Sequence, residues 1–254
     1  MKANQSPHQA IGSVPDNAAE RLADYILRTG LKPLPLPKEF YYASLPICVI
    51  DAVYSIGVSY SSTRNTVARF CDRQNWTMSL PPGAERLNGE HRISGFLKLI
   101  DGATADQLAD DLFGNRQRTS SRSGILKAEA VRRFASALFA EGIDDFGDLS
   151  MERLAPAERT VRQIPGQRSG ISFDYFRMLA GDDQLIKPDR MVQRYVARAI
   201  GGSSTQITPD QVRDTVQQAV THLSPQGPSW TPRVLDFAIW EAERANRYQP
   251  ADWR

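Results

Sequence analysis

Apolar residues recur at helical spacing along nearly the whole chain, and no convincing strand pattern interrupts them. The segment 125–142 keeps an apolar stripe through Val131, Ala135 and Leu138, as an amphipathic helix does. The segment 44–57 is apolar nearly all round, which is typical of a helix that is buried on every side. The sequence therefore predicts an all-α protein of about ten helices without internal repeats.

Capping signals predict where several of these helices begin. Asp16 precedes the first helical segment, and Thr104 with Gln107 has the spacing of a capping box. Thr208 and Thr231 are each followed by a proline, which suits the first turn of a helix. We expect a helix to start at each of these positions.

The composition is that of an ordinary globular protein, with 41% hydrophobic and 24% charged residues in a chain of 254. This length allows one large domain or two smaller ones. No apolar run approaches the roughly 20 residues that a membrane-spanning helix needs. The N-terminal segment also lacks the apolar centre of a secretory signal. We expect a cytoplasmic protein without membrane contacts, associated with the nucleoid if the source is a bacterium.

Cysteine and histidine are too few and too scattered for the common metal sites. Cys48 and Cys71 both lie in apolar surroundings, which indicates buried, reduced thiols. His8, His91 and His222 are far apart and show no ligand spacing. We expect no bound metal at such residues and no required cofactor.

Positive charge is concentrated in two segments, although the formal net charge is only +2. Residues 114–133 contain six Lys or Arg against one acid, and residues 187–198 contain four against one. Such segments on a nearly neutral protein favour a directed anion-binding face. An ordinary solvated helix surface is the alternative interpretation for each of them.

The stretch "QIPGQRSGIS" at 163–172 joins two helical segments by a tight, glycine-rich turn. Glycine lets a ligand approach the backbone closely, and free N–H groups at a helix N-terminus attract phosphate. Gly166 and Gly170 would supply such backbone, and Arg168 and Ser169 would add side-chain donors. The alternative is a plain turn between two helices.

Together with "IKPDRMV" downstream, this hairpin resembles the core of the helix-hairpin-helix DNA glycosylases, in particular an endonuclease III-like core. That superfamily is defined by a hairpin followed by a Gly/Pro-rich loop and an aspartate, which here is Asp189. The segment 47–70 is similar to the family's early buried helix and to the loop that enters the duplex. The segment 119–135 is similar to the loop and helix that touch the DNA backbone. The resemblance spans residues 45–200.

The resemblance implies a two-lobed fold with a DNA cleft between the lobes. Residues 45–172 would form a helical-barrel lobe that ends in the hairpin. Residues 1–44 and 173–254 would form a discontinuous second lobe that carries the aspartate. The implied partner is double-stranded DNA, bound by a monomer, and a monovalent cation at the hairpin is the one ion that the resemblance suggests.

The chain departs from the family at several motif positions. Arg168 stands where a second hairpin glycine is usual, and Gly170 stands where lyase members carry a lysine nucleophile. The family's four-cysteine iron–sulfur cluster is absent. Gly57 aligns with the position that often holds a wedge glutamine, so a neighbour such as Tyr60 is the alternative wedge.

These departures define the chemistry that the resemblance implies. Without an amine at position 170 no Schiff base forms with the sugar, so the activity implied is that of a monofunctional glycosylase. Asp189 would stabilise the positive charge that grows on the sugar and would activate the attacking water. A position in the first turn of a helix favours the ionised form of this carboxyl.

The other site residues follow from the same resemblance and from local charge. The candidates for gripping the DNA backbone, besides the hairpin, are Ser121, Arg122, Ser123 and Lys187. The candidates for the base pocket or the wedge are Asp51, Tyr54, Ser55, Gly57 and Tyr60. The substrate class stays open between an alkylated, oxidised or deaminated base and a modified base in foreign DNA.

Two other functions remain open at this point. A helix-hairpin-helix protein that binds DNA or lesions without cutting would also accommodate the departures at Arg168 and Gly170. An all-helical protein–protein adaptor would share the hairpin by chance. Steep salt dependence of DNA binding distinguishes the glycosylase and the non-catalytic DNA-binding protein from the adaptor.

Overall fold

The computed structural model describes residues 14–82, 84, 91–121, 123–204, 206–224 and 230–247. Over these ranges the chain forms eleven α-helices and no β-strand, with two isolated β-bridges. The predicted all-α fold is therefore confirmed. Within the same ranges, no helix combines the length and the apolar character needed to cross a bilayer.

The helices are numbered in chain order. They are α1 (Ala18–Thr29), α2 (Leu45–Tyr54), α3 (Tyr60–Gln74), α4 (Ile93–Leu99), α5 (Ala105–Gln107), α6 (Lys127–Ala140), α7 (Met151–Val161), α8 (Ile171–Leu179), α9 (Arg190–Ile200), α10 (Pro209–Leu223) and α11 (Pro232–Arg247). A π-helical turn, Leu108–Phe113, continues directly from α5. Short 3-10 turns form at Lys38–Tyr41 and Phe146–Asp148.

The chain divides into two compact units. The first consists of Met1–Pro35 and Ile186–Arg254, and the second of Leu36–Leu185. In the first unit α1, α9, α10 and α11 pack around a common apolar core. Leu22, Val196 and Leu235 are fully buried there, as expected where amphipathic helices turn their apolar faces together.

The second unit is built around α2. All ten residues of α2 are buried, and the helix packs against α3, α6 and α8. This burial confirms the prediction of a helix that is apolar on every side. Aromatic rings fill the space around it, with Phe134 stacked on Phe173 at 5.7 Å between ring centroids and Phe70 lying 5.9 Å from Phe113. Ring pairs at such distances add to the stability given by burial alone.

The units do not divide at the lobe boundaries that the resemblance implies. Those boundaries lie after residues 44 and 172, whereas the units divide after Pro35 and Leu185. The cause is packing: α8 lies against α2, and the 3-10 turn Lys38–Tyr41 lies against α8. The hairpin at 163–172 therefore belongs to the second unit and Asp189 to the first.

The helix starts follow the capping signals with one exception. Thr104 and Thr208 each form a complete capping box, and Thr231 accepts a hydrogen bond from the first turn of α11. The expectation for Asp16 is wrong, because α1 begins after Asn17 and its N-cap makes no side-chain hydrogen bond. An N-cap residue stabilises a helix only when its side chain reaches the free N–H groups of the first turn.

Candidate nucleic-acid interface

The hairpin between α7 and α8 is a succession of tight turns. The N–H of Gln167 donates to the carbonyl of Ile164 at 2.9 Å, and the N–H of Gly170 donates to the carbonyl of Gln167 at 3.1 Å. Gly166 has φ 86° and Gly170 has φ 77°. Both glycines thus adopt a left-handed conformation that other residues take only with strain. This backbone requirement explains why the turn is glycine-rich.

The tip of the hairpin presents free hydrogen-bond donors. Gly166, Arg168 and Ser169 are exposed, and their N–H groups donate to no acceptor among the described residues. The guanidinium of Arg168 likewise has no hydrogen-bond or ion-pair partner among those residues. Several N–H groups and one cation at the start of α8 form the type of surface that binds phosphate.

A basic loop packs directly against the hairpin. A Cβ at Gly166 would lie 2.5 Å from Cβ of Thr119 and 3.0 Å from its carbonyl oxygen. The loop is closed by two backbone hydrogen bonds, one of which joins the N–H of Thr119 to the carbonyl of Ile125 at 2.9 Å. Ser121 and Ser123 are exposed on it, and Arg122 lies outside the described residues. The structure therefore brings together two of the segments predicted to contact DNA.

Three buried oxygens near the hairpin have no donor within the described ranges. Gln167 and Ser172 are each 2% exposed, and no described group donates to Oε1 of Gln167 or to Oγ of Ser172. The same holds for Oγ1 of Thr119. Unsatisfied buried polar atoms are uncommon and call for an explanation. Oxygen ligands of this type suit an alkali cation or a bound water.

No group of three or more His, Cys, Asp or Glu that could bind a metal occurs within the described ranges. Cys48 and Cys71 are both buried and form no disulfide. Burial, and secondarily the charge of Asp72, raises the pKa of the Cys71 thiol to about 12. A thiol with so high a pKa is a poor nucleophile and a poor metal ligand near neutral pH.

Gly170 lies against an arginine. A Cβ at this position would be 2.3 Å from Nη2 of Arg162 and 2.5 Å from its Cζ. Nε of Arg162 donates to Glu158 at 2.8 Å, and Nη1 donates to the carbonyl of Arg168 at 3.4 Å. The guanidinium therefore joins the end of α7 to the hairpin and occupies the space beside Gly170. A side chain at this position would displace it.

Lys127 organises the loop that follows α2. Its side chain is 1% exposed, and Nζ donates to the carbonyls of Tyr54 and Ile56 at 2.9 and 2.8 Å. These carbonyls lie at the C-terminal end of α2, where a cation is favourable. In the sequence analysis Lys127 belongs to a basic surface segment, and the structure instead places it in the interior. It fixes the start of the loop that contains Gly57.

The candidate pocket residues lie in different environments. Asp51 is 2% exposed and accepts a hydrogen bond from the hydroxyl of Tyr42 at 2.6 Å. Burial, and then the charge of Asp51, holds the pKa of Tyr42 well above its ordinary value. Tyr54 is fully buried, with its ring 5.3 Å from that of Phe113. The side chains of Asp51 and Tyr54 therefore pack inside the second unit rather than lining open space.

The other three candidates lie closer to the surface. Oγ of Ser55 donates to the carbonyl of Ala52 at 3.2 Å, and Gly57 is exposed with φ 71°. Tyr60 is half-buried, and burial, followed by the charge of Glu39, raises its pKa. Of the two wedge candidates, Tyr60 has a large side chain and Gly57 has none.

Asp189 is the N-cap of α9 in the first unit. Its Oδ1 accepts from the N–H groups of Met191 and Val192 at 2.7 and 3.2 Å. The side chain is half-buried, and Oδ2 has no donor among the residues that the structure describes. The N–H of Asp189 donates to the carbonyl of Lys187 at 2.6 Å, which makes a tight turn around a proline. Pro188 suits that turn because its φ is fixed and it needs no hydrogen-bond acceptor.

A second carboxyl lies behind this turn. Asp236 of α11 is 6% exposed, and its Oδ1 accepts from the N–H of Lys187 at 3.1 Å. Burial, and then the negative charge of Asp189, holds the pKa of Asp236 well above its ordinary value. Sequence reasoning missed Asp236, because nothing in the pattern of α11 distinguishes it from an exposed aspartate.

Three of the six cations in 114–133 form ion pairs among the described residues. Arg116 pairs with two aspartates that precede it, and Arg132 and Arg133 share Glu129. These three arginines are therefore engaged with carboxylates of the protein itself. In the first unit, Arg190 and Arg194 are exposed on α9, while Arg198 pairs with Glu243 at 2.8 Å.

Residues 20–244 match the model of a family described as a domain of unknown function, DUF8548. The chain belongs to this family. The DUF8548 match includes the hairpin and Asp189, and it extends over parts of both compact units. No curated protein and no solved structure matches the chain.

Proposed function

We propose that this DUF8548 protein is a monofunctional DNA glycosylase. It would hydrolyse the bond between the sugar and a damaged or modified base that has been flipped out of duplex DNA. The observation that carries the proposal is the hairpin at 163–172, whose free N–H groups are followed along the chain by an N-capping aspartate. Double-stranded DNA is the partner, and the protein acts as a monomer without a required cofactor.

The hairpin supports a grip on the DNA backbone. The N–H groups of Gly166, Arg168 and Ser169 and the guanidinium of Arg168, which have no partner among the described residues, match the charge and hydrogen-bonding capacity of a phosphate. The loop with Ser121 and Ser123, packed on the hairpin, extends this surface. Contacts of this kind orient a protein on DNA without reading its sequence. A monovalent cation bound by hairpin oxygens would draw the phosphate closer.

Asp189 supports the chemistry. Breaking the bond between base and sugar builds positive charge on the sugar, and a nearby carboxylate stabilises it. Oδ1 is held by two backbone donors, which fixes the rotamer of the side chain. Oδ2 stays available to the sugar or to the attacking water. The flipped nucleotide would lie beside this oxygen.

The surroundings of Gly170 favour hydrolysis over lyase chemistry. A lyase needs an amine that attacks the sugar and forms a Schiff base. Gly170 has no side chain, and the side chain beside it is the guanidinium of Arg162 rather than a lysine amine. The product expected is therefore a free base and an unbroken abasic strand.

One observation favours a second function, which is DNA binding without catalysis. Asp189 already has a complete structural role, because an N-capping side chain that accepts two N–H groups stabilises its helix by about 1 kcal/mol. A protein that only senses DNA shape or lesions would keep such a cap. The two functions share the hairpin and differ in what happens to the base.

The test compares wild-type protein with Asp189→Asn. Asparagine keeps an oxygen that accepts from the first turn of α9 but has no negative charge. We expect the variant to bind duplex DNA with an affinity within a few-fold of wild type and to release no base. Equal base release by both proteins overturns the role of Asp189, and DNA binding without release by either supports the second function.

A further inference from the structure

A buried carboxyl supports the turn that presents Asp189. Asp236 reaches from α11 to the N–H of Lys187, and the carbonyl of Lys187 accepts from the N–H of Asp189. Two hydrogen bonds therefore connect the carboxyl of Asp236 to the backbone of Asp189. Both belong to the first unit, so the connection is complete within one compact body.

The two carboxyl groups lie in contrasting environments. Asp189 is half-buried and accepts two N–H bonds at the start of α9, where donors and the helix dipole stabilise a negative charge. Asp236 is 6% exposed, and its only hydrogen bond within the described ranges is the one from Lys187. A second negative charge there would be poorly solvated and would be repelled by the first.

The charged groups that act on Asp236 are few. Among the described residues they are Asp189 and Lys187, both from the segment that precedes α9, whereas α10, which also packs against α11, contributes none. Burial and Asp189 act together against ionisation and outweigh the opposing effects of Lys187, so the pKa of Asp236 is raised. Pairs of carboxyls whose environments separate their roles are typical of enzyme sites.

We propose that Asp236 is a positioning residue, whose buried carboxyl accepts from the N–H of Lys187 and so fixes the turn from Lys187 to Asp189. Burial, and then the charge of Asp189, favours the neutral form of Asp236, so a second negative charge beside Asp189 is disfavoured. In the glycosylase proposed above, on which the catalytic part of this inference rests, the carboxyl of Asp189 would meet the sugar cation. Ionisation of Asp236 would add a second charge beside Asp189 and strain the turn.

The first experiment measures the proton without using DNA. Carbon-13 NMR of aspartate-labelled protein follows each carboxyl through a pH titration, and the Asp236 signal is assigned by its absence in Asp236→Asn. We expect this carboxyl to remain protonated well above the range of an ordinary aspartate, about 3.9. Titration of Asp236 in that ordinary range overturns the inference, whether or not the protein is an enzyme.

The second experiment measures the turn. Hydrogen exchange at the Lys187 amide should be faster in Asp236→Ala, which lacks the acceptor, and close to wild type in Asp236→Asn, which keeps one. Asp210→Asn is the matched control, because Asp210 is exposed on α10 and its one ion pair among the described residues is with Arg213. Equal exchange in all four proteins overturns the positioning role.

The third experiment uses base release. Asp236→Ala should lower the rate about tenfold, the effect of losing one buried hydrogen bond, and Asp236→Asn should restore it to within about threefold. Asp236→Asn should also keep its rate at alkaline pH, where the wild-type rate declines. Parallel pH profiles for wild type and Asp236→Asn contradict the inference. If wild type releases no base, the glycosylase proposal fails, and the NMR and exchange results decide the role of Asp236.

Discussion

Replacement of Gly170 by alanine tests the packing of Arg162 against the hairpin. A residue with a Cβ at φ 77° costs about 1–2 kcal/mol of folding free energy. The new Cβ would also lie 2.3 Å from Nη2 of Arg162, so the guanidinium has to move. That displacement weakens the partly exposed pair with Glu158 and the bond to the carbonyl of Arg168, at a cost of about 0.5–1 kcal/mol. The total destabilisation expected is about 2 kcal/mol.

The assay is guanidinium unfolding followed by circular dichroism, arranged as a double-mutant cycle. Gly170→Ala is measured in the wild-type background and in Arg162→Ala, which removes the guanidinium. We expect the cost of Gly170→Ala to fall by about 0.5–1 kcal/mol in the second background, leaving the backbone strain alone. An equal cost in both backgrounds would refute the contact with Arg162, and a cost near zero would refute the strained backbone as well.

Three further predictions concern charge and burial. Lys127→Met should lower the free energy of unfolding by about 1–3 kcal/mol, because the carbonyls of Tyr54 and Ile56 lose their buried donor, and denaturant unfolding measures this. Arg168→Ala should weaken DNA binding similarly for all sequences and reduce the slope of log affinity against log salt by about 1, as fluorescence titration at several salt concentrations would show. For Asp236, whose folded-state pKa is raised, stability should fall as the pH rises from the ordinary aspartate range to that raised pKa, and Asp236→Asn should remove this loss in thermal unfolding measured across pH.

The helices could be predicted from the sequence because their signals are local. The apolar character of 44–57 and the capping residues Thr104 and Thr208 each act within one or two turns of their own helix. The π-helical Leu108–Phe113 could not be predicted, since its sequence has the periodicity of an ordinary helix. The unit boundary was also out of reach, because it depends on which helices α8 packs against.

In the candidate site, too, only the local features could be predicted. The hairpin glycines could be recognised in the sequence because the tight turn itself requires their positive φ. The burial of Asp51 and Lys127 depends on partners that lie elsewhere in the chain, such as Tyr42 and the end of α2. Asp236 could not be predicted for the same reason, because the sequence alone does not show whether an aspartate is buried or exposed.

The most direct test of the central claim is analysis of the products formed from duplex DNA. Wild-type protein is incubated with duplexes that carry many base modifications, freed bases are identified by mass spectrometry, and strands are sized on a denaturing gel after borohydride treatment. The account predicts a free base, an unbroken abasic strand, no covalent protein–DNA adduct, and no release by Asp189→Asn. A borohydride-trapped adduct would contradict the hydrolytic mechanism, and the absence of any freed base from the full panel would contradict the glycosylase itself.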